Sequence, residues 1–462
     1  MLTMKQQIIS KPRIILPNEK IDLNKWAVIA CDQFTSPNET YWQKVESYVG
    51  KDPSTLNLIF PEYYLKDKQN IENRINTIHK NMDDYLTQGV IEDRISENYF
   101  IYTRRTLSNG KIRQGLVALL DLEAYSYTKG DKPAIRPTEG IVEERLPIRM
   151  KIREGAPLEY PHILMLVDDP ERTLIEPLGK NLSAHTKLYD FDLMMGGGHA
   201  EGYAVTSQEL ENTIFSCIEK FGDPRAFSVK HGLEEIEPAI VLATGDGNHS
   251  LASAKAVWEK TKNSLMGENK QWENNPARYA MAEIINVYDD ALEFEAIHRV
   301  LFNVGDVEIF LEKMRVFYKN LGSECEVEPI ELKTNNFAEI TNEKNQPENY
   351  QVFWLSYIKN GVQIFSTAKV KPGIHSITVG SLQMFLDDYL KSNQNATIDY
   401  LHGIETTVRD SSKEGNIGFF LPAIDKGGLF KTVAREGVTP RKTFSMGDAE
   451  TKAYYIMGRS IV

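Results

Sequence analysis

The stretch that most constrains the fold is the apolar run Ala239-Ile240-Val241-Leu242-Ala243, which passes directly into Thr244-Gly245-Asp246-Gly247-Asn248-His249-Ser250. Five apolar residues in succession predict a strand buried on both faces. Leu251-Ala252-Ser253-Ala254-Lys255-Ala256-Val257-Trp258 follows at once and is a good helix former. A buried strand, a glycine-rich turn and a helix therefore stand at the centre of the chain. Glycines at such a turn permit positive φ and close approach of backbone to a ligand. The first-turn N–H groups of the helix have no intrahelical partners and favour an anion.

The rest of the chain shows the same mixture of strands and helices. Trp26–Ala30 predicts a buried strand ending at Asp32, and Ser36-Pro37-Asn38-Glu39 a helix start ahead of Thr40–Tyr48. Ile71, Ile75, Ile78, Met82 and Leu86 are spaced for a helix over 69–88. Asn109-Gly110 and Asn360-Gly361 each mark a hairpin. Further helices are expected over 142–153, 207–221 and 381–390, and strands over 163–167 and 276–287. The class is α+β, mixed sheets with flanking helices. At 462 residues the chain exceeds one hydrophobic core. We expect an N-terminal α/β part (1–125), a central part carrying the turn (126–300) and a C-terminal α+β part (301–462), packing as two lobes.

Composition narrows the function. A net charge of −12 argues against general nucleic-acid binding, which needs clustered Lys and Arg. Cys31, Cys217 and Cys325 form no C-x-x-C pair, so neither a zinc site nor a disulfide framework is expected. With no secretory signal and no apolar run of membrane-spanning length, we expect a cytoplasmic protein. A small-molecule ligand is the expected partner, and a homodimer the expected assembly.

At the turn, Asp246 can act as a base or position a metal, and His249 can shuttle a proton or bind phosphate. Thr244, Gly245, Gly247, Asn248 and Ser250 would contact a bound cofactor. The plainer reading is that Asp246 or Asn248 satisfies the turn and Ser250 caps the helix. The motif is neither a Walker A loop nor a dinucleotide fingerprint. Asp32, at the end of its strand, is a candidate base or a loop cap. His199 lies beside Met194-Met195-Gly196-Gly197-Gly198, a loop able to cradle phosphate or simply a hairpin tip.

Ala243–Ser250 resembles the Ala-Asp-Gly-His-His-Arg signature of domain-of-unknown-function family 1015. Other landmarks agree in order: Trp26–Phe34, Lys51-Asp52-Pro53 through Phe60-Pro61-Glu62, Gly198-His199 with Tyr203, and Pro440-Arg441-Lys442-Thr443. The resemblance implies a ParB/sulfiredoxin-like core with large insertions, in a family that includes a free-serine kinase. By that resemblance Asp246, Gly247 and His249 match the signature, and Asp32 the early acidic position. It implies phosphate or nucleotide chemistry on a serine- or phosphoserine-like metabolite, with ATP or ADP and Mg²⁺. The alternative is a non-catalytic nucleotide- or metabolite-binding protein. Asn248 stands where the first histidine is usual, and Ser250 replaces the arginine, the natural phosphate ligand. Arg136 and Lys442 are the candidate replacement cations at a substrate site. The metal site, if any, is not specified by the residues.

Overall fold

The computed structural model describes residues 7–36, 40–331 and 349–462. Pro37-Asn38-Glu39 of the expected helix start therefore lie outside the described residues. The contacts gather into two units rather than consecutive parts: 1–292 together with 447–462, and 293–446. The first unit is thus closed by the last stretch of the chain, after the second has been completed.

The first unit is built on a nine-stranded mixed sheet. Its strands are β1 (Ile9–Ser10), β2 (Phe100–Thr106), β3 (Ile112–Asp121), β4 (Ile135–Arg136), β5 (Leu164–Val167), β6 (Thr186–Asp192), β7 (His199–Val205), β8 (Leu242–Asp246) and β9 (Tyr279–Asn286). They run in the order β4-β8-β5-β9-β3-β2-β7-β6, with β1 paired to β3. Strands β8 with β4 and β9 with β5 are parallel; the other neighbours are antiparallel. The predicted hairpin is β2–β3, with Gly110 at φ +79° in its turn.

Successive side chains of a strand point to opposite faces, and both faces here are buried. Val117, Leu119 and Met281 enter one core with Trp42 and Val45 of helix α1 (Tyr41–Val49) and Ile75, Ile78 and Met82 of helix α2 (Ile71–Thr87). Leu116, Ala118, Leu120, Ala280 and Ala282 enter the other. There they meet Ile214 and Ile218 of helix α4 (Gln208–Phe221) and Leu251, Ala254 and Trp258 of helix α5 (Asn248–Gly267). Each large side chain fully buried this way contributes roughly 1.5–3 kcal/mol. Between these helices in sequence lies the shorter α3 (Leu146–Arg153).

Two expectations are corrected. Ala239–Val241 are buried but extended, and the strand itself runs on through Thr244, Gly245 and Asp246, so the turn proper starts at Gly247. Trp26–Ala30 is buried but is not a strand of the sheet. Trp26 ends a short helix, and Ala27–Ala30 run extended against the C-terminal segment. Ile29 bridges Tyr454, Ala30 N–H donates to Ala453 O at 2.9 Å, and Tyr455 N–H to Val28 O at 2.9 Å. A short apolar run carries the same pattern whether its hydrogen bonds go to a sheet or to one distant segment.

The second unit carries a six-stranded antiparallel sheet in the order β11-β13-β12-β15-β10-β14. Its strands are β10 (His298–Phe302), β11 (Glu324–Ile330), β12 (Gln351–Lys359), β13 (Val362–Lys371), β14 (Thr397–Leu401) and β15 (Ile417–Phe420). Asn360-Gly361 makes the β12–β13 turn, both at positive φ. Phe353, Leu355 and Tyr357 face helices α6 (Val307–Asn320) and α7 (Thr378–Ser392). A shorter helix, α8 (Gly428–Glu436), completes the unit. His298-Arg299 opens β10.

Candidate active site at the glycine-rich turn

Helix α5 begins at Asn248, with Gly247 as its N-cap at φ +81° and no side-chain cap bond. A Cβ at Gly247 would lie 3.1 Å from Ile163 Cα, so both the left-handed backbone and the close approach require glycine here. The bend turns Asp246 back on itself: its Oδ1 accepts from Gly247 N–H at 2.9 Å. Its Oδ2 lies 3.7 Å from Nζ of Lys452, a buried lysine from the C-terminal segment.

The pairing of residues 27–30 with 453–455 delivers Asp32 to the same place. Cys31 N–H donates to Tyr455 Oη at 3.2 Å, and Tyr455 Oη lies 2.8 Å from His162 Nδ1. His162 Nε2 in turn lies 3.1 Å from Ser250 Oγ. This chain of bonds fixes the imidazole between Asp32 and the first turn of α5. Glu62 is tied in from another direction: its N–H donates to Cys31 O at 2.8 Å, and its carboxylate pairs with Arg149 of α3.

The electrostatics separate the two carboxyls. Burial is the largest influence on Asp32 and opposes its ionisation. His162, the Gln33 amide and Lys452 together outweigh it, and the Asp32 carboxyl lies below its ordinary value. Glu62 goes the other way. Burial raises it, Arg149 only partly compensates, and the Asp32 charge adds to the rise. Neighbouring carboxyls driven apart in this way are the arrangement from which acid and base roles are drawn.

Two buried arginines hold the segment that carries Lys452. Arg105 donates to Gly197 O at 3.0 Å, to Glu450 O at 2.6 Å and to Lys452 O, while Arg113 donates to Thr451 O at 2.6 Å. Burial, reinforced by Arg113, brings the Arg105 guanidinium down to about 9. Among the described residues no carboxylate lies within ion-pair distance of Arg105; backbone carbonyls and the Tyr454 ring, 4.5 Å from the guanidinium carbon, hold it, and its buried Nε has no hydrogen-bond partner.

Not every residue nominated from sequence joins this cluster. His249 Nε2 accepts from Val142 N–H at 3.1 Å, which turns the ring toward the loop before α3. Asn248 is buried and its Oδ1 accepts from Thr138 N–H at 3.2 Å, while Thr244 O accepts from Thr138 Oγ1 at 2.6 Å. Thr244 and Asn248 thus fasten the 138–142 loop. Gly245 lies within β8.

Arg136 is buried, and its guanidinium is used on Pro133 O and Pro238 O at 2.9 Å each, a structural placement. His199 bridges Asp192 at 2.7 Å and Asp190 at 2.8 Å across β6 and β7, and these bonds, Asp192 first, raise its pKa. Lys442 belongs to the second unit, exposed at φ +56° with its carbonyl accepting from Arg299 at 2.9 Å. The groups that sequence reasoning missed are Glu62, Arg149, His162, Lys452 and Tyr455. Glu62 stands in the Phe60-Pro61-Glu62 landmark, which assigns it no role; the local signal of the others is polar or aromatic identity, which many surface residues share. Among the described residues no three His, Cys, Asp or Glu side chains are grouped to hold a metal ion.

Comparison with curated proteins finds no match. Among solved structures, a free serine kinase in complex with AMP is 12% identical, with a TM-score of 0.35, over 73% of this chain and 90% of its own. A mutant form of a free serine kinase in complex with ADP is similar at 12% identity and a TM-score of 0.35, covering 74% and 91%. A conserved hypothetical protein from Pyrococcus furiosus is 14% identical with a TM-score of 0.32, covering 71% and 89%. A family model spans the chain from residue 15 to residue 389, taking in Asp32, Glu62, His162 and the whole turn. The chain therefore belongs to that family, described as protein of unknown function (DUF1015).

Proposed function

We propose that the first unit is an enzyme of phosphate chemistry, transferring a phosphoryl group from a nucleotide to the hydroxyl of a small polar, serine-like metabolite. Asp32 accepts the hydroxyl proton, Asp246 positions the reacting groups, and Lys452 neutralises phosphate charge. The observation that carries this reading is the single buried cation shared by two carboxylates: Lys452 lies 3.7 Å from Asp246 and also acts on Asp32. Phosphoryl transfer asks mainly for positioning and charge neutralisation, so an ionised carboxylate aimed at the hydroxyl suffices as its proton acceptor. The N-terminus of α5, without a side-chain cap, adds backbone N–H groups on the anion's side. The arginine absent at Ser250 is thereby replaced by Lys452, a residue more than two hundred positions away in sequence.

ATP or ADP would bring Mg²⁺, which commonly uses one or two carboxylates together with phosphate oxygens and water. Asp246, the carboxylate not assigned the proton, is the one suited to it, and the ion would offset the clustered phosphate charge. Unpaired cysteines and the absence, among the described residues, of a helix able to cross a membrane are in keeping with a cytoplasmic setting.

A second reading, a nucleotide- or metabolite-binding protein without turnover, is favoured by one observation. His249, Asn248 and Thr244 are engaged with the 138–142 loop, and Ser250 already has His162 as partner.

Thermal unfolding with ATP, ADP, serine and phosphoserine, with and without Mg²⁺, followed by ³¹P NMR of the mixtures, tests both. Nucleotide stabilisation with transfer to serine, lost in Asp32→Asn, is the expected result. Stabilisation without transfer supports the second reading. No response to any nucleotide excludes the first reading, and no response to serine or phosphoserine as well excludes both.

A further inference from the structure

The second unit has a cavity of about 610 Å³, within the size range of small-molecule sites. It is walled by the first turn of α7, the start of β12, the loop after β13 and one face of α8. Its histidine, His375, is held more firmly than a surface residue requires. Its N–H donates to Ser381 Oγ at 3.1 Å, and its carbonyl accepts from Gln351 Nε2 at 2.8 Å. Ser381 Oγ also donates to Gln351 Oε1 at 2.5 Å, closing the frame. The ring lies flat on Gly380, where any Cβ would collide with it.

The ring's own bonding sets its chemistry. Ile377 N–H donates to Nδ1 at 3.2 Å, so a neutral imidazole carries its proton on Nε2. Burial lowers its pKa, against a smaller opposing pull from Glu436, whose carboxylate is 3.9 Å from Nε2. At neutral pH His375 therefore presents an N–H donor and no charge.

The charge comes from α8. Lys431 and Arg435 are four residues apart, hence on one face of the helix, and both line the cavity. Lys431 is half-buried, and among the described residues it has no ion-pair partner. Asp425, the acidic residue of the lining, is occupied in closing the start of α8: its Oδ2 accepts from Gly428 N–H at 2.9 Å. The first N–H of the helix is thus already satisfied, and the cations are the attraction.

We propose that this cavity is a second ligand site, separate from the glycine-rich turn, that takes a small phosphate-bearing metabolite between Lys431, Arg435 and the Nε2–H of His375. Two cations with one neutral donor suit a dianionic phosphate better than a single carboxylate.

Calorimetric titration of the full chain with inorganic phosphate and O-phosphoserine tests it, with acetate as the carboxylate control. Phosphate-bearing probes should bind and acetate should not. The double variant Lys431→Ala, Arg435→Ala should weaken phosphate binding at least tenfold, and Lys431→Gln alone several-fold. Asp246→Asn should leave it unchanged, which separates this site from the one in the first unit. Absence of phosphate binding, equal binding of acetate, or an unchanged affinity in both α8 variants overturns the proposal. Loss in Asp246→Asn together with retention in the α8 variants overturns it too.

Discussion

Both units place charged side chains where a helix begins, Asp246 just before α5 and Lys431 in the first turn of α8, but they treat the charge differently. Around Asp246 nearly every group is already engaged: Lys452 faces Asp246, Arg149 holds Glu62, and His162 is fixed between Tyr455 and Ser250. Around Lys431 the frame of His375, Gln351 and Ser381 is equally built, yet among the described residues the lysine has no counter-ion. A pre-paired cluster is rigid and ready for chemistry on a molecule that displaces little of it. An open cation on a wide cavity is suited to binding. Substitutions in the first unit should therefore affect folding and turnover, and those in the second should affect ligand affinity alone.

The sharpest way to break this contrast is Arg105→Met. The carbonyls of residues 197, 450 and 452, the first and last of them in buried bonds, would lose their donor, at a cost of about 3 kcal/mol read by urea unfolding. The Lys452 segment should loosen with it. A cost near zero would mean that the first unit is not locked in the way its hydrogen bonds indicate.

Asp246→Asn should follow, with roughly a hundredfold loss of phosphoryl transfer but little loss of stability, because the 3.7 Å pair with Lys452 is loose. Steady-state rates measured alongside thermal unfolding separate the two effects. Equal losses in both would make Asp246 a structural residue.

Gly247→Ala should cost about 1–2 kcal/mol from its left-handed φ, with the 3.1 Å approach to Ile163 adding to it. The measured midpoint of chemical denaturation reports it directly.

Acid stability sharpens the contrast further. The Asp32 carboxyl is depressed in the folded state, so the stability it contributes is fully present above its unfolded value, about 3.9. That contribution is lost as pH falls through the lower folded value. The difference in melting temperature between the wild type and Asp32→Asn should hold from pH 7 to about 5 and shrink below about 4. A difference that grows on acidification would reverse the assigned direction.

The smallest effect on folding belongs to Lys431→Gln, within about 0.5 kcal/mol as for most exposed or half-exposed changes. A larger loss would show that Lys431 is part of the fold and not a waiting ligand.

Much of this architecture was legible in the sequence. The β2–β3 and β12–β13 hairpins follow from Asn-Gly turns, helix α2 from its three-and-four spacing, and the strand–turn–helix at β8–α5 from one apolar run and its glycines. These are local signals, fixed by φ preferences and side-chain periodicity within a few residues. Asp32 and Asp246, both nominated from sequence, each feel Lys452, which lies 3.7 Å from Asp246 and bears electrostatically on Asp32.

What tertiary structure alone decided is which cation meets them. Arg136 stands close to the turn in the fold yet is used on carbonyls. Lys452 arrives because residues 453–455 pair with 28–30 after the whole second unit has intervened. His249, matched to the family signature, is turned to Val142 by the loop beside it. A contact between segments four hundred residues apart leaves no periodicity in either one, so sequence nominated the turn as the candidate site while long-range packing chose the charges around it.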